Sequence, residues 1–229
     1  PGAQVAGPLA TCGLPAGEGR IFVAAHPAAL AITAVLRRLT ASFPLARAIV
    51  NVFEPASERG SAGVEELHQQ TLSLLSLQQV PQRVFDTQLA FNLLAACGEQ
   101  SRPSLVEVEQ QVQRHLDRLW GSLAGPGPRP SLRLAQSPTF HAHTFSFYLE
   151  LESPRAVADL ECAFEGEGFD LRRAGQEPPS AVGAASSDEV LVGDIRADRA
   201  CERGYWLWAA ADPAERDWPS TRCASPKRR

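Results

Sequence analysis

The chain has 229 residues, 44% hydrophobic and 21% charged, with a formal net charge of -4. That length allows one large domain or two modest ones, each able to bury a substantial core. The mild negative charge gives no electrostatic reason to expect nucleic acid or an anionic membrane surface, and no apolar run approaches the roughly 18–20 residues that cross a bilayer.

In chain order, residues 1–19 are rich in Gly, Ala and Pro and predict a loose lead-in. "RIFVAA" (20–25) predicts a short strand, and Pro27 suits the first turn of a helix over 28–39, since its missing N–H has no partner there. "ARAIVNVF" (46–53) is rich in β-branched residues and predicts a second strand. "EPASERGSAG" (54–63) reads as a turn region. A helix to about residue 78 is expected next, with Val64, Leu67, Thr71, Leu74, Leu75 and Gln78 along one stripe. Residues 80–98 read as partly extended. Ser104 and Glu107 fit a capping box opening a helix whose buried stripe is Leu105, Val108, Val112, Leu116 and Leu119. "GPGPRP" (125–130) ends it.

Residues 131–154 carry the strongest strand signal. One face holds His141, His143, Phe145, Phe147, Leu149 and Leu151, and the other Ala142, Thr144, Ser146, Tyr148, Glu150 and Glu152. That alternation predicts one covered face and one partly wet face. Residues 156–164 predict a helix, 165–188 a polar, turn-rich segment, and 189–196 with 204–211 a pair of strands. The tail, 213–229, has two prolines and no apolar stripe and is expected to be disordered. Helices interleaved with at least five strands point to an α+β domain with a mixed or antiparallel sheet and helices packed on one face.

Candidate chemistry is sparse. Five cysteines (Cys12, Cys97, Cys162, Cys201, Cys223) are scattered without CxxC spacing, which argues against a disulfide framework and a zinc site. Cytoplasm is the expected compartment. His141 and His143 place two imidazoles on one strand face, but no Asp, Glu or Cys at ligand spacing completes a set, so no metal is expected. Glu54 and Glu58 lie four apart in a turn and read as a solvated loop capping the next helix. The tryptophans of "YWLW" (205–208) read as core or interface. Neither GxGxxG nor GxxxxGK[ST] is present. With no methionine and Pro1 at its start, the chain is expected to be part of a longer protein.

Taken in order, several segments resemble aspartate-semialdehyde dehydrogenases, and among them the Usg-type homologues. "VNVFEPASERGSAGVEEL" (50–67) is similar to that family's TYQAVSGAG segment and the helix after it. "QLAFNLL" (88–94) resembles its IAFN-type strand, "SPTFHAHTFSFYLELESP" (137–154) its GHS segment and following strand, and "VLVGDIR…YWLWAAAD" (190–212) its closing hairpin. The resemblance covers roughly 20–212 and implies the fold of that family's substrate and dimerisation domain, with a homodimer as the partner state.

The resemblance also implies a chemistry, part of amino-acid biosynthesis. Enzymes of this family reduce an acyl phosphate with NADPH through a thioester on cysteine, a side chain both nucleophilic and able to leave. Their A-N-P-N-C motif falls on Ala25-His26-Pro27-Ala28-Ala29, so the nucleophile position is Ala29. The positioning glutamine falls on Glu54 and the substrate-binding arginine on Gln136, while a substrate-binding lysine falls near Glu107. The acid/base histidine is retained as His143, with Ala142 where the family has glycine. The family binds NADP on a Rossmann domain, of which 1–19 would be a remnant, and no cofactor-binding residue is identified in this chain. The implied function is an inactive homologue that dimerises. Two alternatives stand beside it: an NADP-dependent oxidoreductase completed by a missing N-terminal domain, and a small-ligand module in which Glu54 and His143 form an acid–base pair.

Overall fold

The computed structural model describes residues 4–6, 22–123, 127–185 and 187–212. The tail at 213–229, read as disordered, lies outside the described residues, as do Cys12 and Cys223.

A small parallel sheet comes first: β1 (Gln4–Ala6) pairs with β2 (Phe22–Ala24). The strand at 4–6 falls inside the stretch read as a loose lead-in. Helix α1 (Pro27–Thr40) follows with proline in its first turn, as predicted. Strand β3 (Leu45–Glu54) leads through a 3-10 turn (Ala56–Arg59) into α2 (Gly60–Leu75), and α3 (Leu105–Leu123) precedes β4 (Ser131–Gln136) and β5 (His143–Leu151). Helix α4 (Val157–Ala163), β6 (Phe169–Arg172), α5 (Ala181–Ala184), β7 (Val190–Ala197) and β8 (Gly204–Ala211) complete the order.

Six of the strands form one mixed sheet in the order β4-β3-β5-β8-β7-β6. The pairs β3/β4 and β6/β7 are parallel, and β3/β5, β5/β8 and β7/β8 antiparallel. Alternation along β3 and β5 sends Val50, Val52, Phe145, Phe147 and Leu149 into one core with α1 and α3. Helix α1 presents three small residues, Ala28, Ala29 and Ala31, to that core together with Ile32, Val35 and Leu36, all fully buried. The predicted stripe of α3 is buried throughout, and Ser104 and Glu107 close its N-terminus reciprocally. The opposite face holds Ile49, Phe53, Tyr148, Trp206 and Trp208 and is only partly covered, Trp206 being 42% exposed. Phe53 stacks on Trp208 and Tyr148 packs against Trp206.

Four sequence expectations are corrected. Helix α2 starts in the stretch read as a turn, and its buried face is Gly63, Glu66, Leu67 and Gln70, whereas Leu75 is 73% exposed. The reason is polar: Glu66 accepts from the backbone N–H groups of Arg83, Val84 and Phe85, and Gln70 from those of Leu89 and Ala90. Those bonds tie down 80–98, which is not strand; only Leu94 bridges to Gln136. The turn-rich stretch 165–188 contains β6 and α5. Finally, His141 does not share a strand face with His143. It is exposed, and Ala142 between them takes φ 64°, which breaks the alternation before β5 begins.

Candidate functional site at one end of the sheet

The strand directions gather the site. Glu54 ends β3, Gln136 ends β4 beside it in register, and His143 starts β5, which runs antiparallel to β3. Strand β8 ends opposite His143, at Ala211, so Asp212 follows at the same end. The N-terminus of α1 closes on the same place, because His26, its capping residue, meets His143 edge-on with ring centroids 5.8 Å apart. The 3-10 turn after β3 returns Glu58 between the two rings. Its carboxylate oxygens stand 3.6 Å from His26 Nε2 and 3.7 Å from His143 Nε2.

Most of these groups are shut away from water. Ala29, in the first turn of α1, and Glu54 and Gln136 are fully buried, and His143 is 1% exposed. Both carboxyl oxygens of Glu54, Oε1 of Gln136, Nε2 of His143, and Nε and Nη2 of Arg59 have no hydrogen-bond partner among the described residues. Gln136 spends its amide N–H on the Glu54 carbonyl, where Ser137 also donates, and Arg59 donates from Nη1 to the Pro103 carbonyl. Such orphaned buried groups are costly and rare, and their concentration here marks the pocket.

Burial decides the protonation states. It lowers His26 to about 4, with His115 adding to the effect, and His143 to about 3, with His26 adding to it. It raises Glu54 to about 8, helped by Glu58 and opposed by Arg59. Glu58 is also pushed up, by burial and then by Asp212. An ionised Glu58 would draw both imidazoles toward their charged forms, but desolvation outweighs it. At neutral pH these close His–Glu approaches are therefore not ion pairs. Glu54 is an uncharged acid there, the same shape as a glutamine.

The pocket thus holds two neutral imidazoles, two carboxyl groups and one guanidinium, and it has proton donors and acceptors. What it lacks is a nucleophile. Position 29 is a methyl group, and no thiol is within hydrogen-bonding reach of His143 Nε2 among the described residues. Cys97 sits near Arg59 and Glu54 with its thiol hydrogen-bonded to Ser101, and burial holds it above the usual thiol range, away from the reactive thiolate. A separate cleft of about 700 Å³ around Trp208 has Arg172, Arg173 and Arg196, each paired with its own acid.

The sequence-predicted residues Ala29, Glu54, Gln136 and His143 are brought to this one end of the sheet. Glu107 instead serves the α3 cap. Glu54 and Glu58 do not form the solvated loop expected of them. Nor is Glu54 the acid beside His143, since its oxygens have no partner and the near carboxylate is Glu58. His26, Glu58 and Arg59 were not identified as site residues. The legible signal for His26 was its place just before Pro27 at a strand-to-helix turn, where a side chain caps the helix and faces the strand ends.

The semialdehyde dehydrogenase dimerisation-domain model matches residues 36–213. The chain belongs to that family. A USG-1 protein homolog of Pseudomonas aeruginosa is 28% identical over 197 residues, 84% of this chain and 58% of its own length. An aspartate-semialdehyde dehydrogenase of Rickettsia bellii is 25% identical over 190 residues, 80% of this chain and 54% of its own. The solved structure of a probable aspartate-semialdehyde dehydrogenase from Pseudomonas aeruginosa superposes with a TM-score of 0.75 at 27% identity, over 86% of this chain and 59% of that one. This semialdehyde dehydrogenase dimerisation domain therefore spans a little over half the length of these relatives. Among its described residues no helix is long and apolar enough to cross a membrane.

Proposed function

We propose that this chain is a catalytically inactive homologue of the aspartate-semialdehyde dehydrogenases that acts as a dimerising protein, its old cleft kept as architecture. One observation carries the reading: Ala29, where the sequence resemblance puts the family's nucleophile, is a methyl group fully buried in the first turn of α1. A methyl group has no electron pair to attack an acyl phosphate, so the thioester that defines the chemistry has no first step. The resemblance puts the family's substrate-binding arginine at Gln136, which lacks the guanidinium fork that clamps a carboxylate, and this supports the same reading. Glu54 supports it less than its formal charge suggests, because burial leaves it neutral and amide-like.

Dimerisation is supported by the family and by the partly covered sheet face that holds Phe53, Trp206 and Trp208. Turnover is tested by incubating the purified chain with aspartate semialdehyde, phosphate and NADP and following NADPH. No formation above the uncatalysed background is expected. Formation of NADPH that disappears in His143→Ala would overturn the inactive reading.

A further inference from the structure

We propose that Nε2 of His26, Nε2 of His143 and the carboxylate of Glu58 form a binding site for a divalent transition-metal ion of the zinc class. The three come from separate segments: the cap of α1, the 3-10 turn after β3, and the start of β5. Their ligand atoms all lie within 4.8 Å of one another. The carboxylate-to-imidazole separations of 3.6 and 3.7 Å are too long for hydrogen bonds. They run to different oxygens of Glu58, and with the three ligand atoms spread over as much as 4.8 Å the side chains must close inward to reach the edge of roughly 3.4 Å that zinc bonds of about 2.1 Å set in a tetrahedron. A bridging water at about 2.8 Å from each atom would subtend roughly 80°, tighter than its bonding geometry favours.

A second observation points the same way. His143 Nε2 is buried, faces this gap and has no hydrogen-bond partner, a state that a bound ion relieves. His143 Nε2 is open to an ion, whereas His26 Nδ1 already accepts from the Ala28 N–H, so the ring proton on Nε2 must move to Nδ1 before that nitrogen can bind. Two imidazoles and a carboxylate suit zinc and its neighbours rather than calcium or magnesium, which prefer all-oxygen sites. The set also leaves a fourth position open, as catalytic zinc sites do. Binding has one local consequence. His26 Nδ1 accepts from the Ala28 N–H at 3.2 Å, and a ring bound through Nε2 carries its proton on Nδ1. The ion therefore replaces that cap contact.

The inference stands whether or not the pocket turns over substrate. Its test is a cobalt titration of the full chain after removal of metals with a chelator. One cobalt ion per chain is expected, with intensified visible bands of a four- or five-coordinate site that zinc abolishes, and zinc should raise the melting temperature. His26→Ala and Glu58→Gln should each weaken cobalt binding by at least about 100-fold, the upper range for losing a mere outer-shell partner. His141→Ala, exposed and outside the site, should leave it unchanged. Should His26→Ala not fold, Glu58→Gln carries the test, since that carboxylate is partly exposed. Absence of the visible bands, a sulfur-to-cobalt charge-transfer band, or equal affinity in Glu58→Gln and the parent chain would each overturn the site. None of these results bears on NADPH formation.

Discussion

Glu54 shows how far a single residue can shape the whole molecule's response to pH. It is fully buried with both oxygens unpartnered, and its pKa stands at about 8 instead of the usual 4.5. Between those two values the folded chain keeps a proton that the unfolded chain has released. Its contribution to stability is therefore complete below about 4.5 and lost as pH rises through about 8. His26 and His143 act in the opposite sense, since their values fall from 6.5 to about 4 and about 3. Their contribution is lost as pH falls toward those values and is half a titration short of complete at 6.5, so between pH 6.5 and 8 they oppose Glu54 by about 0.4 kcal/mol each. At ~1.4 kcal/mol per pH unit, Glu54 makes that window worth about 1.5 kcal/mol, of which about 1 kcal/mol remains after the opposing histidines. Urea unfolding at pH 6.5 and 8 should show the chain weaker at pH 8, with that loss abolished in Glu54→Gln. Equal midpoints in the parent chain would mean that the acid has already ionised by pH 6.5. Such residues were only half legible in the sequence. The resemblance to a family points to Ala29, Glu54, Gln136 and His143 one position at a time, and the fold brings these four to one end of the sheet. His26, Glu58 and Arg59 were missed because their roles arise from where a helix cap and a 3-10 turn bring them, which no local pattern encodes.

At the scale of elements, legibility followed the source of the stabilisation. β3, β5, β7, β8 and α3 could be read because burial imposes a period of two or 3.6 on their side chains. The stretch between α2 and α3 could not, because two polar side chains on the buried face of α2 hold it. Glu66 accepts three backbone N–H groups at 2.6, 2.7 and 3.0 Å, while Gln70 accepts two and donates to the carbonyls of Pro81 and Thr87. A buried carboxylate one turn before an amide reads as a break in an apolar stripe unless its distant partners are known. The energetics are not subtle, since hydrogen bonds to a charged group contribute about 1.5–3 kcal/mol each and removing the acceptor strands buried donors. Glu66→Ala should therefore cost on the order of 3 kcal/mol or more in urea unfolding. It should also open 83–90 first, seen as faster amide exchange there than in α3. If protection at 83–90 is unchanged, Glu66 is not what holds the segment.

For the whole molecule the deciding feature is a sheet with two unlike faces. One is sealed by α1, α3 and α4. The other carries α5 over Leu191 and Ala210 and otherwise shows aromatic side chains on β5 and β8, the two central strands of six. The four longest strands, β3, β5, β8 and β7, about 4.8 Å apart and about eight residues long at about 3.4 Å each, make a footprint of roughly 400 Å², and α5 takes up its Leu191–Ala210 corner. A standard protein interface takes ~800 Å² per partner, so this patch would be the centre of a dimer contact that extends beyond the strands. A two-fold pairing of this face sets each central residue near its own copy, so one substitution acts twice. Tyr148 and Trp206 lie opposite each other in register near the middle of the sheet, and Trp206 is exposed enough to change without disturbing the core. Trp206→Asp places a charge from each copy into the middle of the apolar contact, where unpaired burial is most costly. Sedimentation should give twice the chain mass for the parent protein at micromolar concentration and a single chain mass for the variant, with the far-ultraviolet circular dichroism of both alike. A parent chain that sediments as one copy would show that this face is covered by something other than itself, and the dimerising role would fall with it.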